Sequence, residues 1–178
     1  MKITVKDMCL IAIFTAVIAA LAQLTIPVPG IPLTMQTFAV PLAGAVLGAK
    51  KGALSAFVYI LLGAMGAPVF HAFQGGIGMI AGPTGGFILA FPLYAFIVGF
   101  AADKNNRLWL ATGLVIGMTV LFLLGGIIFP VFIFPRVSFQ AAFLGWVLPF
   151  LLPDLIKIIM VYFISIEIKK RIWYNRLK

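Results

Sequence analysis

Charge is what this chain of 178 residues has least of: Asp, Glu, Lys and Arg make up 10% of it, and only four residues are acidic. Soluble domains use about 25% charged and 45–50% apolar residues, whereas 63% of this chain is hydrophobic. That balance excludes a water-soluble enzyme, a disordered tail and a nucleic-acid-binding domain. Cysteine occurs once, at Cys9, so the chain can form neither an intramolecular disulfide nor a two-cysteine metal or redox motif. Histidine also occurs once, at His71. With so few ligating side chains, no metal and no cofactor are expected.

The charges are clumped as well as scarce. None falls within 8–49, 52–102 or 108–135, and each stretch exceeds the roughly 18 apolar residues that signal a bilayer span. Backbone groups in hydrocarbon must bond within their own segment, so spans are helical and break at charge clusters or Pro/Gly runs. Six spans are expected, over Met8–Ile26, Thr34–Ala49, Gly52–Phe70, Thr84–Ala102, Leu108–Phe129 and Leu144–Ile166. The expected fold is therefore an all-α integral membrane protein: one domain over 1–178, a bundle of six transmembrane helices with ordered outer loops.

Six spans place both termini and the loops at Lys50/Lys51 and Asp103–Arg107 on one side. That side carries Lys2, Lys6, Lys50, Lys51, Lys104, Arg107, Lys169, Lys170, Arg171, Arg176 and Lys178, which is 11 of the 13 cations, against Arg136 on the other side and Lys157 inside a span. By the positive-inside rule the basic side is cytoplasmic. A multi-pass protein of the cell membrane with cytoplasmic termini is expected, and the net charge of +9 reports topology rather than nucleic-acid binding. A rival reading takes Lys2 and Lys6 with Ala20-Leu21-Ala22 as a cleaved signal peptide. Cleavage would leave five spans and spoil the charge alternation.

The outer side holds the unusual segments. Prolines at 27, 29 and 32 prevent a continuous helix and favour an extended path, with Thr34, Gln36 and Thr37 just beyond. This is either a stiff linker or a non-helical segment lining a cavity, where exposed amides and these Thr/Gln side chains bond a ligand. A second outer segment runs from Ala67 through Gly82-Pro83-Thr84-Gly85-Gly86-Phe87. Its glycines permit close backbone approach and positive φ, as expected of a loop folded over the bundle. His71, Gln74, Gly82, Thr84, Gly85 and Gly86 are its candidate ligand contacts, although an interfacial His71 without special role is the plainer alternative. Gly76-Ile77-Gly78-Met79-Ile80-Ala81 satisfies G-x-G-x-x-A but lacks the strand and βαβ unit that a dinucleotide site needs. No P-loop is present either, so primary energy must come from a partner.

Pro153-Asp154-Leu155-Ile156-Lys157 puts an acid and a base three positions apart on one helix face, with Pro153 as a candidate helix start. Charges at mid-membrane cost about 2.5–3.5 kcal/mol apiece on insertion scales, so they are functional candidates by default. A mutual ion pair that binds nothing is the bland alternative, but apolar replacement of such a pair is often neutral or stabilising. Asp154 and Lys157 together suit a small anion with an amide-like head. Ala12, Ala16 and Ala20 form a small-residue stripe on the first span, either internal packing or a docking face for a second membrane protein. Gly44, Gly48 and Gly52 share that spacing and read as internal packing.

These residues carry a resemblance that spans nearly the whole chain. Ile26-Pro27-Val28-Pro29-Gly30-Ile31-Pro32-Leu33-Thr34-Met35-Gln36-Thr37, Gly82-Pro83-Thr84-Gly85-Gly86-Phe87 and Pro149-Phe150-Leu151-Leu152-Pro153-Asp154-Leu155-Ile156-Lys157 resemble the BioY family, the biotin-specific substrate-binding (S) components of energy-coupling factor (ECF) transporters. The resemblance implies six helices, an outward-facing biotin pocket beneath the outer loops, and no enzymatic activity. It implies as partners an ECF transmembrane coupling subunit, contacted by the Ala12/Ala16/Ala20 stripe, and cytoplasmic ATPase subunits, all within membrane lipid. It also implies that Lys157 meets the valerate carboxylate and Asp154 the ureido N–H groups, or the reverse. From the residues alone, the rival is a stand-alone secondary carrier with Asp154 as its proton-coupling group.

Overall fold

The computed structural model describes residues 3–27, 31–134 and 137–174, without the side chains of 172–174. Lys2, Val28, Pro29, Gly30, Arg136, Arg176 and Lys178, which carried part of the sequence argument, lie outside the described residues.

Helix α1 runs over Val5–Ala22. It starts at Thr4, whose hydroxyl accepts the Asp7 amide while the Asp7 carboxylate accepts the Thr4 amide, a reciprocal cap of two orphan donors. A two-residue hairpin follows, with β1 (Thr25–Ile26) antiparallel to β2 (Leu33–Thr34). Helices α2 (Gln36–Leu47) and α3 (Ala49–Ala64) meet at Gly48, whose φ of 84° belongs to the left-handed region that favours glycine. The outer segment then folds into a 3₁₀ turn at His71–Phe73 and a short α4 (Ile77–Ala81). Next come α5 (Gly85–Asp103) and α6 (Arg107–Leu121), which passes through a π-helical stretch, Phe122–Ile128, into α7 (Phe129–Ile133). The last rod begins at α8 (Phe139–Ala142), widens to a π turn at Phe143–Val147 and continues as α9 (Leu148–Tyr174).

Helix α5 sits at the centre, packed against α2, α3 and α6. Its Ile88, Phe91, Tyr94 and Val98 form the heart of the core. Its outward side shows Leu89, Leu93, Phe96 and Phe100. A helix apolar on every side fits lipid on one face and protein on the other.

Among the described residues, four helical stretches are long and apolar enough to cross a membrane: Val5–Ala22, Gly85–Asp103, Arg107–Ile133 and Phe139–Arg171. Helices α2 and α3 have 12 and 16 residues, or about 18 and 24 Å at 1.5 Å per residue, short of a hydrocarbon core of about 30 Å. Helix α2 ends at Leu47, just before Gly48, and α3 ends at Ala64, where the 67–84 segment takes over. One expectation needs correction, that of Pro153. It does not start a helix but lies inside one that is continuous from Phe139.

The basic ends of the helices gather at one end of the bundle. Lys51 Nζ pairs with Asp7 at 2.9 Å, Asp103 accepts the first amide of α3 from Ala49 at 3.1 Å, and Lys169 Nζ donates to the Ala102 carbonyl at 2.8 Å. The hairpin and the 67–84 segment lie at the opposite end. The glycines at spacing four do pack internally: a Cβ on Gly52 would lie 2.5 Å from Gly44 Cα, and one on Gly44 2.2 Å from the Ala95 carbonyl oxygen.

Candidate functional site

The two charges within the apolar part of α9 are almost wholly buried, Asp154 2% and Lys157 5% exposed. They pair at 2.6 Å. Lys157 Nζ also donates to the Thr34 carbonyl at 2.7 Å and to Thr37 Oγ1 at 2.9 Å, which engages all three ammonium protons. Thr37 in turn donates to Asp154 Oδ1 at 2.8 Å. The inward pull of the hairpin follows from these bonds, because a buried ammonium must find acceptors and Thr34 and Thr37 supply them. Thr34 Oγ1 donates to Gln36 Oε1 at 2.8 Å, and the Gln36 amide donates to the Tyr59 hydroxyl at 2.5 Å.

Asp154 carries both of its bonds on Oδ1, and among the described residues Oδ2 has no partner. Asp154 lines a cavity. That cavity encloses about 430 Å³ of empty space, its open mouth included. Thr34, Gln36, Thr37, Asp154 and Lys157 form its polar wall, and Phe87, Ile88, Phe91 and Phe150 its apolar one. The rings of Phe87 and Phe150 stand 6.4 Å apart, centroid to centroid. Such a site suits a small molecule with hydrogen-bonding polarity at one end and an apolar body.

Next to His71 in the chain, the Phe70 ring is fully buried against Tyr59 and, as a plug, fills the space that a side chain at Gly63 would need. This plug brings His71 to the cavity wall. Burial holds the His71 imidazole below its ordinary value of 6.5, so at neutral pH it offers one donor and one acceptor instead of a charge.

Of the candidates named from sequence, Thr34, Gln36, His71, Thr84, Asp154 and Lys157 are brought together around one cavity, while Gln74, Gly82, Gly85 and Gly86 do not line it. Gly85 and Gly86 serve contact instead: a Cβ on Gly85 would lie 1.7 Å from the Ile80 carbonyl oxygen, and one on Gly86 2.5 Å from Phe129 Cβ. Ala12, Ala16 and Ala20 are all exposed on α1, whereas Ile11, Thr15, Ile18 and Ala22 face the bundle. Thr37, named from sequence beside Thr34 and Gln36, lines the same cavity, whereas the aromatic wall was missed.

The fold and the site together define a small helical membrane protein that encloses a polar ligand site beside the hairpin and the 67–84 segment. The chain belongs to the BioY family, whose family model matches residues 1–173. It is similar to a protein of Pyrococcus horikoshii named a probable biotin transporter BioY, 45% identical over 85% of this chain and 89% of that one. The biotin transporter BioY of Thermotoga maritima is 41% identical over 89% of this chain and 92% of its own. A crystal structure of the S-component for biotin from an ECF-type ABC transporter superposes with a TM-score of 0.85 at 27% identity, over 93% of this chain and 92% of that one.

Proposed function

We propose that this chain is the biotin-binding S component of an ECF-type vitamin transporter, capturing biotin outside the cell and delivering it inward with an ATP-driven partner module. The observation that carries this is the bonded cluster of Asp154, Lys157, Thr34 and Thr37 facing an aromatic wall inside one cavity. Biotin has matching parts: a ureido ring with two N–H donors flanking a carbonyl, and an apolar bicycle. Asp154 and Lys157 are 2.6 Å apart, too close to hold opposite ends of one extended molecule whose carboxylate ends a four-methylene tail. We assign both to the ureido end, with Asp154 Oδ2 accepting N–H and Lys157 turning one proton to the carbonyl. Biotin methylated on a ureido nitrogen should then compete far more weakly than biotin amide in equilibrium binding to the detergent-purified protein. The opposite ranking would move Lys157 to the carboxylate.

In the same proposal α2 and α3 cross the bilayer with the four longer rods, and the gathered basic ends and both termini face the cytoplasm. The exposed stripe of Ala12, Ala16 and Ala20 is the contact for the transmembrane coupling subunit. Vesicles holding this chain alone should bind biotin but not concentrate it, and accumulation should require the coupling subunit, its ATPases and ATP. Accumulation driven by a proton gradient in the chain's sole presence would establish the secondary-carrier alternative.

Thr37 supplies a smaller test. Thr37→Val removes one acceptor from the ammonium and one donor from the carboxylate. Hydrogen bonds to charged groups contribute about 1.5–3 kcal/mol, so the Kd for biotin should rise about tenfold to a hundredfold. An unchanged Kd would remove Thr37 from the site.

A further inference from the structure

Helix α1 contributes no side chain to the wall of the cavity, yet its outer end is bonded to both segments that form the mouth. On one side Met35 donates its amide to the Leu24 carbonyl at 3.1 Å, and β1 pairs with β2, whose Thr34 carbonyl accepts from Lys157. On the other side stands Gln23, the residue that ends the helix. Its Nε2 donates to the carbonyls of Phe70 at 2.9 Å, Val69 at 3.3 Å and Ala19 at 3.2 Å, while its Oε1 accepts the Phe73 amide at 2.8 Å. The amide orientation follows from the partners, since carbonyls need the nitrogen and an N–H needs the oxygen.

The segment that Gln23 holds is strained. Ala72 and Phe73 have φ of 54° and 55°, in the left-handed region that residues with a Cβ avoid. Such conformations persist only where the surroundings over-determine them. The Phe73 side chain does not, being 72% exposed. What fixes the turn is the buried Phe70 plug on its N-terminal side, the Phe70–Gln74 bridge across its base, and Gln23 on its open side. His71 opens the same turn and lines the cavity.

We propose that Gln23 is a positioning residue for ligand capture: it latches the outer end of α1 to the 69–73 turn, keeps His71 against the cavity, and passes movement of α1 to the mouth. This rests on the cavity being the biotin site. Gln23→Met keeps the length and removes every bond to the turn; Gln23→Glu retains the acceptor for Phe73 alone. Biotin dissociation should quicken about tenfold in Gln23→Met and by less in Gln23→Glu. In a His71→Ala background Gln23→Met should add little, because the residue it positions is gone. Hydrogen exchange of the Phe73 amide, measured without ligand, should accelerate in Gln23→Met while the core amides of α5 keep wild-type protection. Wild-type release rates, an effect that simply adds to that of His71→Ala, or unaltered Phe73 exchange would each overturn the latch. If the wild-type protein binds no biotin at all, the function proposed above fails, and the exchange measurement still decides whether the latch exists.

Discussion

Lys157→Met should raise the Kd for biotin at least about thirtyfold and lower stability, whereas the double variant Asp154→Leu/Lys157→Met should recover the stability and still bind weakly. The single change leaves Asp154, 2% exposed, with Thr37 as its remaining partner. Breaking a buried pair on one side costs about 3–5 kcal/mol because an uncompensated charge stays behind. Its effect on a ligand held by the same pair is about 2–5 kcal/mol, a rise in Kd of roughly thirtyfold to several thousandfold. Removing both charges takes away the desolvation penalty with the attraction, and apolar replacement of a buried pair is often neutral or stabilising. Thermal unfolding in detergent beside binding titrations on the three proteins separates the two roles. A double variant that binds biotin like the wild type would reduce the pair to a structural element and remove the central support for the proposed site.

The pair was legible in the sequence because charges in a charge-poor chain stand out, and the cost of burying them demands a reason. Thr34 and Gln36 were legible for a related cause: polar side chains directly after a proline run that cannot be helical. The aromatic wall was not. Helix α5 is apolar on all sides, so nothing in its pattern tells the Phe87 and Phe91 face, which meets the ligand cavity, from the Leu89 and Leu93 face, which meets lipid. In a soluble helix water would have sorted them. The junction of α2 and α3 was legible to within a few residues from Lys50 and Lys51, but not that one glycine with positive φ, Gly48, turns the chain there. Pro153 misled for the opposite reason, since a proline that suits a helix start lies here in the interior of a longer helix. Gln23 gave no signal at all, being one amide at a helix end whose partners lie 46 to 50 residues away.

The glycines of the outer segment look alike in sequence and differ in consequence, so they allow a paired prediction. A Cβ on Gly85 would lie 1.7 Å from the oxygen and 2.5 Å from the carbon of the Ile80 carbonyl. Both are backbone atoms, so no side chain can swing aside, and α4 must move off the start of α5. Thr84, the next residue back, lines the cavity and moves with it. Overpacking of this kind typically costs about 1–3 kcal/mol, and because the displacement reaches the cavity wall, Gly85→Ala should both lower the unfolding temperature and weaken biotin binding tenfold or more. Gly78 lies within α4 itself, its φ is not positive, and a Cβ there would meet nothing within 4 Å. Gly78→Ala should keep wild-type affinity and gain up to about 1 kcal/mol from the lower entropy of the unfolded chain. Equal behaviour of the two variants would mean that the segment tolerates backbone movement, and the mouth would then be formed by the Phe70 plug and the hairpin without help from the α4–α5 contact.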